Sequence, residues 1–185
     1  SRFRTDDSSG RILNRSGDIG RATDTFSSVG KIIVENSDVI VDNPTSGSGS
    51  GGVISILSHE SDIRNSQIAA RAQNNSSGGI LNLLSGKKLA ISDSTVTTQA
   101  LSSGGGGGII TIRANHLETR NSLVETSNIS SSIQGSLIDL TNLHTVEAEN
   151  SLFSASTESG IAVLITVYAS TSVTLSGTRD NGYGG

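Results

Sequence analysis

The feature that most constrains the fold of this chain is a short box that recurs at an almost constant spacing. The box reads apolar, any residue, apolar or small, any residue, Asn or Asp, Ser, any residue, apolar, and its clearest copies are IVENSDV, SDIRNSQI, LAISDSTV, LETRNSLV and VEAENSLF. Its Asn or Asp, here called the anchor, falls at Asn36, Asn65, Asp93, Asn121 and Asn150, so that successive steps are 29, 28, 28 and 29 residues. Weaker copies place Asp7 before this series and Gly177 after it. A period of this length and regularity predicts a solenoid in which each repeat forms one turn.

Each repeat contains two further stretches in which apolar residues alternate with other residues. The stretch before the box reads GVISIL, GILNLL, GIITIR, SLIDLT or VLITVY, and the stretch after the anchor carries pairs such as Val39 with Val41. Alternation of this kind is typical of β-strands that bury one face. Gly- and Ser-rich segments recur once per repeat at 45–52, 74–79, 102–108 and 127–135, which indicates loops at one corner of a coil. The sequence therefore predicts an all-β, right-handed parallel β-helix of about seven rungs of about 28 residues, with three short strands per rung.

The whole chain, residues 1–185, is predicted to be a single β-helical segment. Clear rungs cover 26–177, and weaker end rungs cover 1–25 and 178–185. Aromatic residues make up only 3% of the chain, and Trp and Met are absent. This composition favours a narrow core of Ile, Val, Leu and small residues over the wide core of an average globular domain. In one rung, we expect Ile110, Ile112, Leu117 and Val124 to be buried together.

The residue type at the anchors follows from backbone sterics. A bend between two strands commonly needs a left-handed residue, which Asn and Asp tolerate better than other non-glycine types, and Gly177 obeys the same rule. Side chains stacked one turn apart can also hydrogen-bond along the coil. A structural ladder is therefore predicted at Asp7, Asn36, Asn65, Asp93, Asn121 and Asn150. The alternative interpretation of this row is a metal or sugar site.

Composition and charge disfavour several functional classes. The formal net charge is -4 with only 13 Lys and Arg, so the counterion release that drives nucleic-acid binding is not expected. No segment approaches the roughly 18 apolar residues of a membrane span. Cys is absent, which excludes disulfides and thiolate metal sites. Because the sequence starts with Ser, we expect a mature product or an excised fragment, with any export signal upstream.

The repeats resemble those of a known family. Units of the type G-x-I-x-I, followed by a box such as LETRNSLV and separated by Ser/Gly-rich turns, are similar to the repeats of filamentous-haemagglutinin-type exoproteins over roughly residues 26–177. Cyanobacterial members are especially rich in such rungs. The resemblance implies a β-helical shaft without catalytic residues, on a protein secreted or displayed by a Gram-negative bacterium through the two-partner route. The secretion module of that family is not recognisable in this sequence, so the export route is implied by the repeats alone.

Many parallel β-helices act on polysaccharides, and such enzymes need carboxylates clustered on one outer face. The outward positions beside the anchors carry the residues closest to this pattern. Stacking the repeats places Glu118 beside Glu147 and Arg120 beside Glu149. The simplest interpretation is a solvated face with ion pairs. The alternatives are a weak Ca²⁺ site at Glu118, Glu147 and Glu149, or a catalytic pair acting on uronates. Because the few aromatic residues are scattered around the coil, no stacking wall for sugars is expected, and the chain is predicted not to be an enzyme.

Other sites are not indicated by the sequence. His59, His116 and His144 are interpreted as single exposed residues, because the first and third lie three rungs apart and His116 is offset by one position. The GGGGG run at 104–108 lacks the motif of a phosphate-binding loop, so no cofactor is expected. Ice binding would need regular Thr-x-Thr arrays, and the outward rows are mixed.

The expected function is therefore a non-enzymatic extracellular or cell-surface scaffold. A carbohydrate-active or carbohydrate-binding β-helix is the second interpretation. Neither end of the sequence offers a capping helix, so unpaired strand edges are expected at both ends. We expect them to associate end to end or to continue into a longer shaft, with a surface or matrix glycan as a further possible contact and no nucleic acid among the partners.

Overall fold

The structure, a computed structural model, describes residues 10–15, 23–43, 51–72, 77–101, 106–128, 135–157 and 164–177. These residues form β-strands joined by bends and short connections, and no helix. The strands are β1 (Gly10–Arg15), β2 (Thr23–Ser27), β3 (Lys31–Glu35), β4 (Ser37–Asn43), β5 (Val53–Arg64), β6 (Gln67–Ala72), β7 (Ile80–Ser92), β8 (Thr95–Ala100), β9 (Ile109–Arg113), β10 (His116–Arg120), β11 (Leu123–Asn128), β12 (Leu137–Glu149), β13 (Leu152–Thr157) and β14 (Leu164–Ser176).

All of these strands pair in parallel with the strands one turn away. The stretches after the anchors form a six-stranded sheet, in the order β1-β4-β6-β8-β11-β13. The stretches before the anchors form an eight-stranded sheet that contains β2, β3, β5, β7, β9, β10, β12 and β14. About four turns of about 28 residues are stacked in this way, between Asn36 and Asn150. The predicted all-β parallel solenoid and its period are confirmed.

The division of each turn into three short strands is wrong for most turns. The first two predicted strands remain separate as β2 and β3, and as β9 and β10, but merge into single strands of 12 or 13 residues in β5, β7, β12 and β14. The bend inside them is absorbed by register shifts, for example between Ser58 and Glu60. In β12 the shifts flank Asn142, which has a φ of 56°. A bulge bends a strand without ending its pairing, so two expected strands become one.

The core is a set of apolar columns that run along the coil. Ile54, Leu81, Ile110 and Ile138 occupy one column in register, and each has 0% of its surface exposed. The four residues predicted to be buried in one rung, Ile110, Ile112, Leu117 and Val124, are at most 1% exposed, so this prediction is confirmed. Burying each such side chain contributes roughly 1.5 to 3 kcal/mol, which makes these columns the main stabilising feature of the coil.

The apolar columns become exposed to solvent at β14. Its inward positions Ile165 and Val167 continue the columns of Ile138 and Leu140 but are 39% and 45% exposed. Val173 and Leu175 are likewise about half exposed. Among the described residues no strand pairs with the outer edge of β14. The apolar pattern of one more turn is therefore presented to solvent.

The glycines that open two turns are required by close packing at a corner. A Cβ at Gly79 would overlap the Cβ of Ala70, and a Cβ at Gly108 would overlap the hydroxyl of Thr98. In both cases the glycine lies against the last strand of the preceding turn. The Gly-rich segments at 74–79 and 102–108 therefore end at positions where a side chain would not fit.

Candidate functional site

The anchors occupy the left-handed region at every described copy. The φ angles are 51° at Asn36, 43° at Asn65, 49° at Asp93, 49° at Asn121 and 48° at Asn150, and Gly177 has a φ of 101°. Asp7 lies outside the described residues. Asn65 Nδ2 donates to Asn36 Oδ1 at 2.7 Å, and Asn150 Nδ2 donates to Asn121 Oδ1 at 3.3 Å. Each amide thus donates to the preceding turn, as the steric argument and the stacking argument together predict.

Asp93 changes this ladder because it has no amide group to donate. It accepts from Asn121 Nδ2 at 3.0 Å on one side. On the other side it is stacked on Asn65, whose own amide already donates to Asn36. Asp93 therefore has no amide donor for the side-chain oxygen of Asn65, unlike the Asn anchors that donate to the preceding turn.

A second ladder, formed by the serines that follow the anchors, was not interpreted from the sequence. The hydroxyl of each serine accepts the backbone N–H of the serine one turn before it: Ser66 for Ser37, Ser94 for Ser66 and Ser122 for Ser94, at 3.1 to 3.2 Å. Each hydroxyl also donates to the carbonyl two residues before it, as Ser94 does to Ser92 at 2.6 Å. The Ser that follows the anchor in each clear copy of the box could have indicated this ladder, because the N–H groups of a buried bend need hydrogen-bond acceptors. Both ladders consist of hydrogen bonds between adjacent turns of the coil.

The candidate site lies on the outer face of the eight-stranded sheet, where three columns of mostly polar side chains run beside the anchors. We call them the outer columns. The first contains Lys31, Glu60, Lys88, His116, Thr145 and Ser172; the second contains Ile33, Asp62, Ala90, Glu118, Glu147 and Thr174; the third contains Glu35, Arg64, Ser92, Arg120, Glu149 and Ser176. The second and third columns have the register that the repeat predicts, with Glu118 beside Glu147 and Arg120 beside Glu149. The first column, which contains two lysines, was not predicted from the sequence.

The carboxylates singled out in the sequence are neighbours but do not converge on one point. Glu118 forms an ion pair with Lys88, and Glu149 accepts from Arg120 Nε at 2.9 Å. Within the described residues, no group of three or more His, Asp or Glu side chains is placed to hold a metal ion. Calcium binding at Glu118, Glu147 and Glu149 stays a prediction, and the geometry shows two of the three carboxylates paired with cations.

The most strongly held charge of this face is the carboxylate of Asp62. Its side chain is only 7% exposed, and it accepts from Lys31 Nζ at 3.0 Å and from Arg64 Nε at 2.7 Å. Arg64 Nη2 makes a second contact with the same group. Burial acts to raise the pKa of Asp62, but the hydrogen bonds and charges of Arg64 and Lys31 outweigh it and hold the pKa below its ordinary value.

A depression of about 320 Å³ lies over the middle of the outer columns. Its floor contains the small residues Ala90 and Ser92, which follow Asp62 and Arg64 in their columns. Charged side chains from the same turn and from the turns before and after it surround the floor: Lys31, Glu60, Asp62, Arg64, Lys88, Glu118 and Arg120. The depression exists because Ala90 and Ser92 are small, whereas the residues before and after them in their columns have larger side chains. In the sequence, the A and S of LAISDSTV indicate this position.

The histidines are not all isolated, which corrects the interpretation from the sequence. The rings of His116 and His144 are 6.0 Å apart, edge to face. His116 pairs with Thr145, and the backbone N–H groups of His144 and Thr145 both donate to the carbonyl of Asn115, so a bulge brings His144 beside His116. The one-residue offset in the sequence therefore did not separate them. Both rings contact hydroxyl groups, with His116 Nδ1 2.7 Å from Thr145 Oγ1 and His144 Nδ1 2.8 Å from Ser170 Oγ.

The part of the chain that the structure describes contains no helix of the length and apolarity needed to cross a membrane. Comparison of the sequence with protein-family models, with curated proteins and with solved structures finds no match. The resemblance to filamentous-haemagglutinin repeats therefore remains a prediction from the residues that carry it.

Proposed function

We propose that this chain is part of a non-enzymatic extracellular shaft, similar to the β-helical shafts of filamentous-haemagglutinin-type proteins on Gram-negative cells. In this proposal the coil is right-handed, the weaker copies at the two ends complete about seven rungs, and the shaft is exported. The location and the export route rest on the resemblance of the repeats. The fold supports the shaft itself, because the left-handed bend and the apolar columns recur in each described turn from Asn36 to Asn150.

One observation carries the proposal: β14 presents the apolar pattern of a turn to solvent. Ile165, Val167, Val173 and Leu175 extend the buried columns of β12, yet each is 39% to 56% exposed. Large apolar side chains in such a row, next to a strand edge with which no described strand pairs, favour addition of a further turn. That turn is supplied by a second copy of the chain or by further repeats of a longer protein. Head-to-tail stacking of this kind is open-ended and yields filaments.

Sedimentation velocity over a concentration series tests the stacking. For the wild-type chain we expect the sedimentation coefficient to rise with concentration. Val173→Lys places a charge in the stacking surface and should abolish the rise, whereas Thr174→Lys, on the outer face of the same strand, should leave it unchanged. A wild-type chain that stays monomeric at all concentrations while keeping its β circular-dichroism signal would contradict the proposal.

The enzymatic alternative makes a different prediction. If Glu118 and Glu147 acted as a catalytic pair, the purified chain would turn over an acidic polysaccharide, and Glu118→Gln or Glu147→Gln would remove the activity. We expect no turnover, because the carboxylate of Glu118 is held in an ion pair with Lys88. Product formation is followed by reducing-end assay against acidic and neutral polysaccharides.

A further inference from the structure

The depression over Ala90 and Ser92 extends along the ladder across several turns. Its lining residues come from four successive turns, those of Lys31, Asp62, Ala90 and Glu118. Three steps of about 4.8 Å give a length of about 14 Å along the coil axis. A linear chain lying parallel to the axis can span this length.

Three cationic side chains around this floor have donors to spare. Arg64 uses two of its five N–H groups on Asp62 and its side chain is 50% exposed. Arg120 uses Nε on Glu149 and is 58% exposed, and Lys88 contacts Glu118 and is 47% exposed. Arg64 and Arg120 occupy the same outer column with Ser92 between them, so their backbones are two ladder steps, about 9.6 Å, apart. A carboxylate seated over Ser92 would be within reach of both guanidinium groups, which bind carboxylates well.

The acceptors in the lining restrict what kind of anion fits. Glu60, Asp62 and Glu118 alternate with Lys31, Arg64, Lys88 and Arg120, which leaves one positive charge in excess. A densely charged polyanion would meet these carboxylates and be repelled. A chain that carries one carboxylate per unit and several hydroxyl groups would place its carboxylates on the arginines and donate its hydroxyls to the acidic side chains.

From this arrangement we infer a binding site for a polyuronate-type polysaccharide, with one carboxylate over Ser92 between Arg64 and Arg120. An acidic peptide is the competing ligand. It fits less well, because each of its residues has a single backbone N–H to donate to the acidic side chains of the lining, whereas a uronate unit has several hydroxyl groups. The inference goes beyond the shaft and does not depend on it, since the site lies on the outer face and not at the ends of the coil.

Isothermal titration calorimetry of the whole chain with oligogalacturonate tests the site. Ser92→Glu puts a carboxylate at the proposed seat, between two arginines that can pair with it, so the variant should fold and lose binding by at least about tenfold. Arg120→Gln should weaken binding by about tenfold for the loss of one charge-assisted contact. Ser176→Glu is the matched control, because it makes the same change in the same outer column outside the depression. Circular dichroism verifies that all variants keep their β signal.

Titrations with other ligands distinguish a polyuronate site from other kinds of anion or peptide site. A neutral galactan oligomer should not bind, and monomeric galacturonate and inorganic sulfate should bind far more weakly than the oligomer. Sulfate that binds as tightly as the oligomer would overturn the proposal in favour of an unspecific anion site. Tighter binding of polyglutamate would overturn it in favour of an acidic peptide. Absence of oligogalacturonate binding, or binding that is equal in the wild-type chain and Ser92→Glu, would also overturn it.

Discussion

Replacing Ser94 by alanine tests whether the serine ladder stabilises the coil. Ser94 is 4% exposed, and its hydroxyl accepts the N–H of Ser66 at 3.1 Å and donates to the carbonyl of Ser92 at 2.6 Å. In Ser94→Ala the N–H of Ser66 is left buried without its acceptor, which costs about 1 to 3 kcal/mol. The carbonyl of Ser92 keeps its bond from the N–H of Asn65 at 3.0 Å, so its loss is nearer 0.5 to 1.5 kcal/mol, the net value of one ordinary hydrogen bond. Together these losses predict a decrease of about 2 to 4 kcal/mol in the free energy of unfolding.

Urea denaturation followed by circular dichroism measures this decrease, with Ser151→Ala as the matched control. Ser151 has the same place in the repeat, but it is only half-buried and its bonds to Ser122 N–H and Glu149 C=O are 3.3 and 3.0 Å. Water can replace such bonds, so the loss there should be about 1 kcal/mol or less. A free energy of unfolding for Ser94→Ala within about 0.5 kcal/mol of wild type would refute the ladder as a source of stability.

Three further predictions address the anchors, the core and the charged outer face. Asp93→Asn supplies the missing donor toward Asn65 and keeps a residue that tolerates a φ of 49°, so it should raise the urea midpoint by an amount equivalent to about 1 kcal/mol, and a lowered midpoint would contradict the ladder. Ile112→Ala should reduce the free energy of unfolding by about 2 to 5 kcal/mol through a cavity, and a loss under about 0.5 kcal/mol would show that Ile112 does not face the core. Because the pKa of Asp62 is lower in the folded chain than in the unfolded chain, its carboxylate stabilises the fold above pH about 4, and that stabilisation disappears as the pH falls through the folded value. Asp62→Asn should therefore be less stable than wild type at pH 7 and equal to it in acid, as thermal melts across pH will show.

Much of the fold was predictable because one steric requirement recurs at a constant spacing. The left-handed bend selects Asn, Asp or Gly, so Asn36 to Asn150 mark the turns directly in the sequence. The alternation around the anchors then identifies which side chains face inward. The number of strands per turn was not predictable in the same way, because a bulge such as the one beside Ser58 depends on whether pairing continues through a bend, and no residue type signals that.

For the candidate site, the sequence predicted only the register, that is, which residues lie side by side on adjacent turns. The spacing places Glu118 beside Glu147 and Arg120 beside Glu149, but it does not show which charges pair across columns. The contact of Lys88 with Glu118, and the burial of Asp62 beneath Lys31 and Arg64, depend on how long flexible side chains fold over the sheet. The depression itself is a consequence of small residues between large ones, which becomes visible once all three outer columns are aligned.

The inward and outward residues of each turn contribute very different amounts to the free energy of unfolding. Substitutions on the outer face can therefore change function without unfolding the coil. An inward residue such as Ile112 contributes several kcal/mol, whereas an exposed ion pair such as Arg120 with Glu149 contributes about 0.2 to 1 kcal/mol. The ladders and inward columns repeat in every described turn from Asn36 to Asn150, while the outer columns change from turn to turn. A coil built in this way can carry a binding site on one stretch of its outer face at little expense in stability. It follows that Ser92→Glu and Val173→Lys should each remove one property, glycan binding or stacking, and leave the other intact; loss of both properties in either variant would mean that the outer face and the stacking end are coupled through the fold.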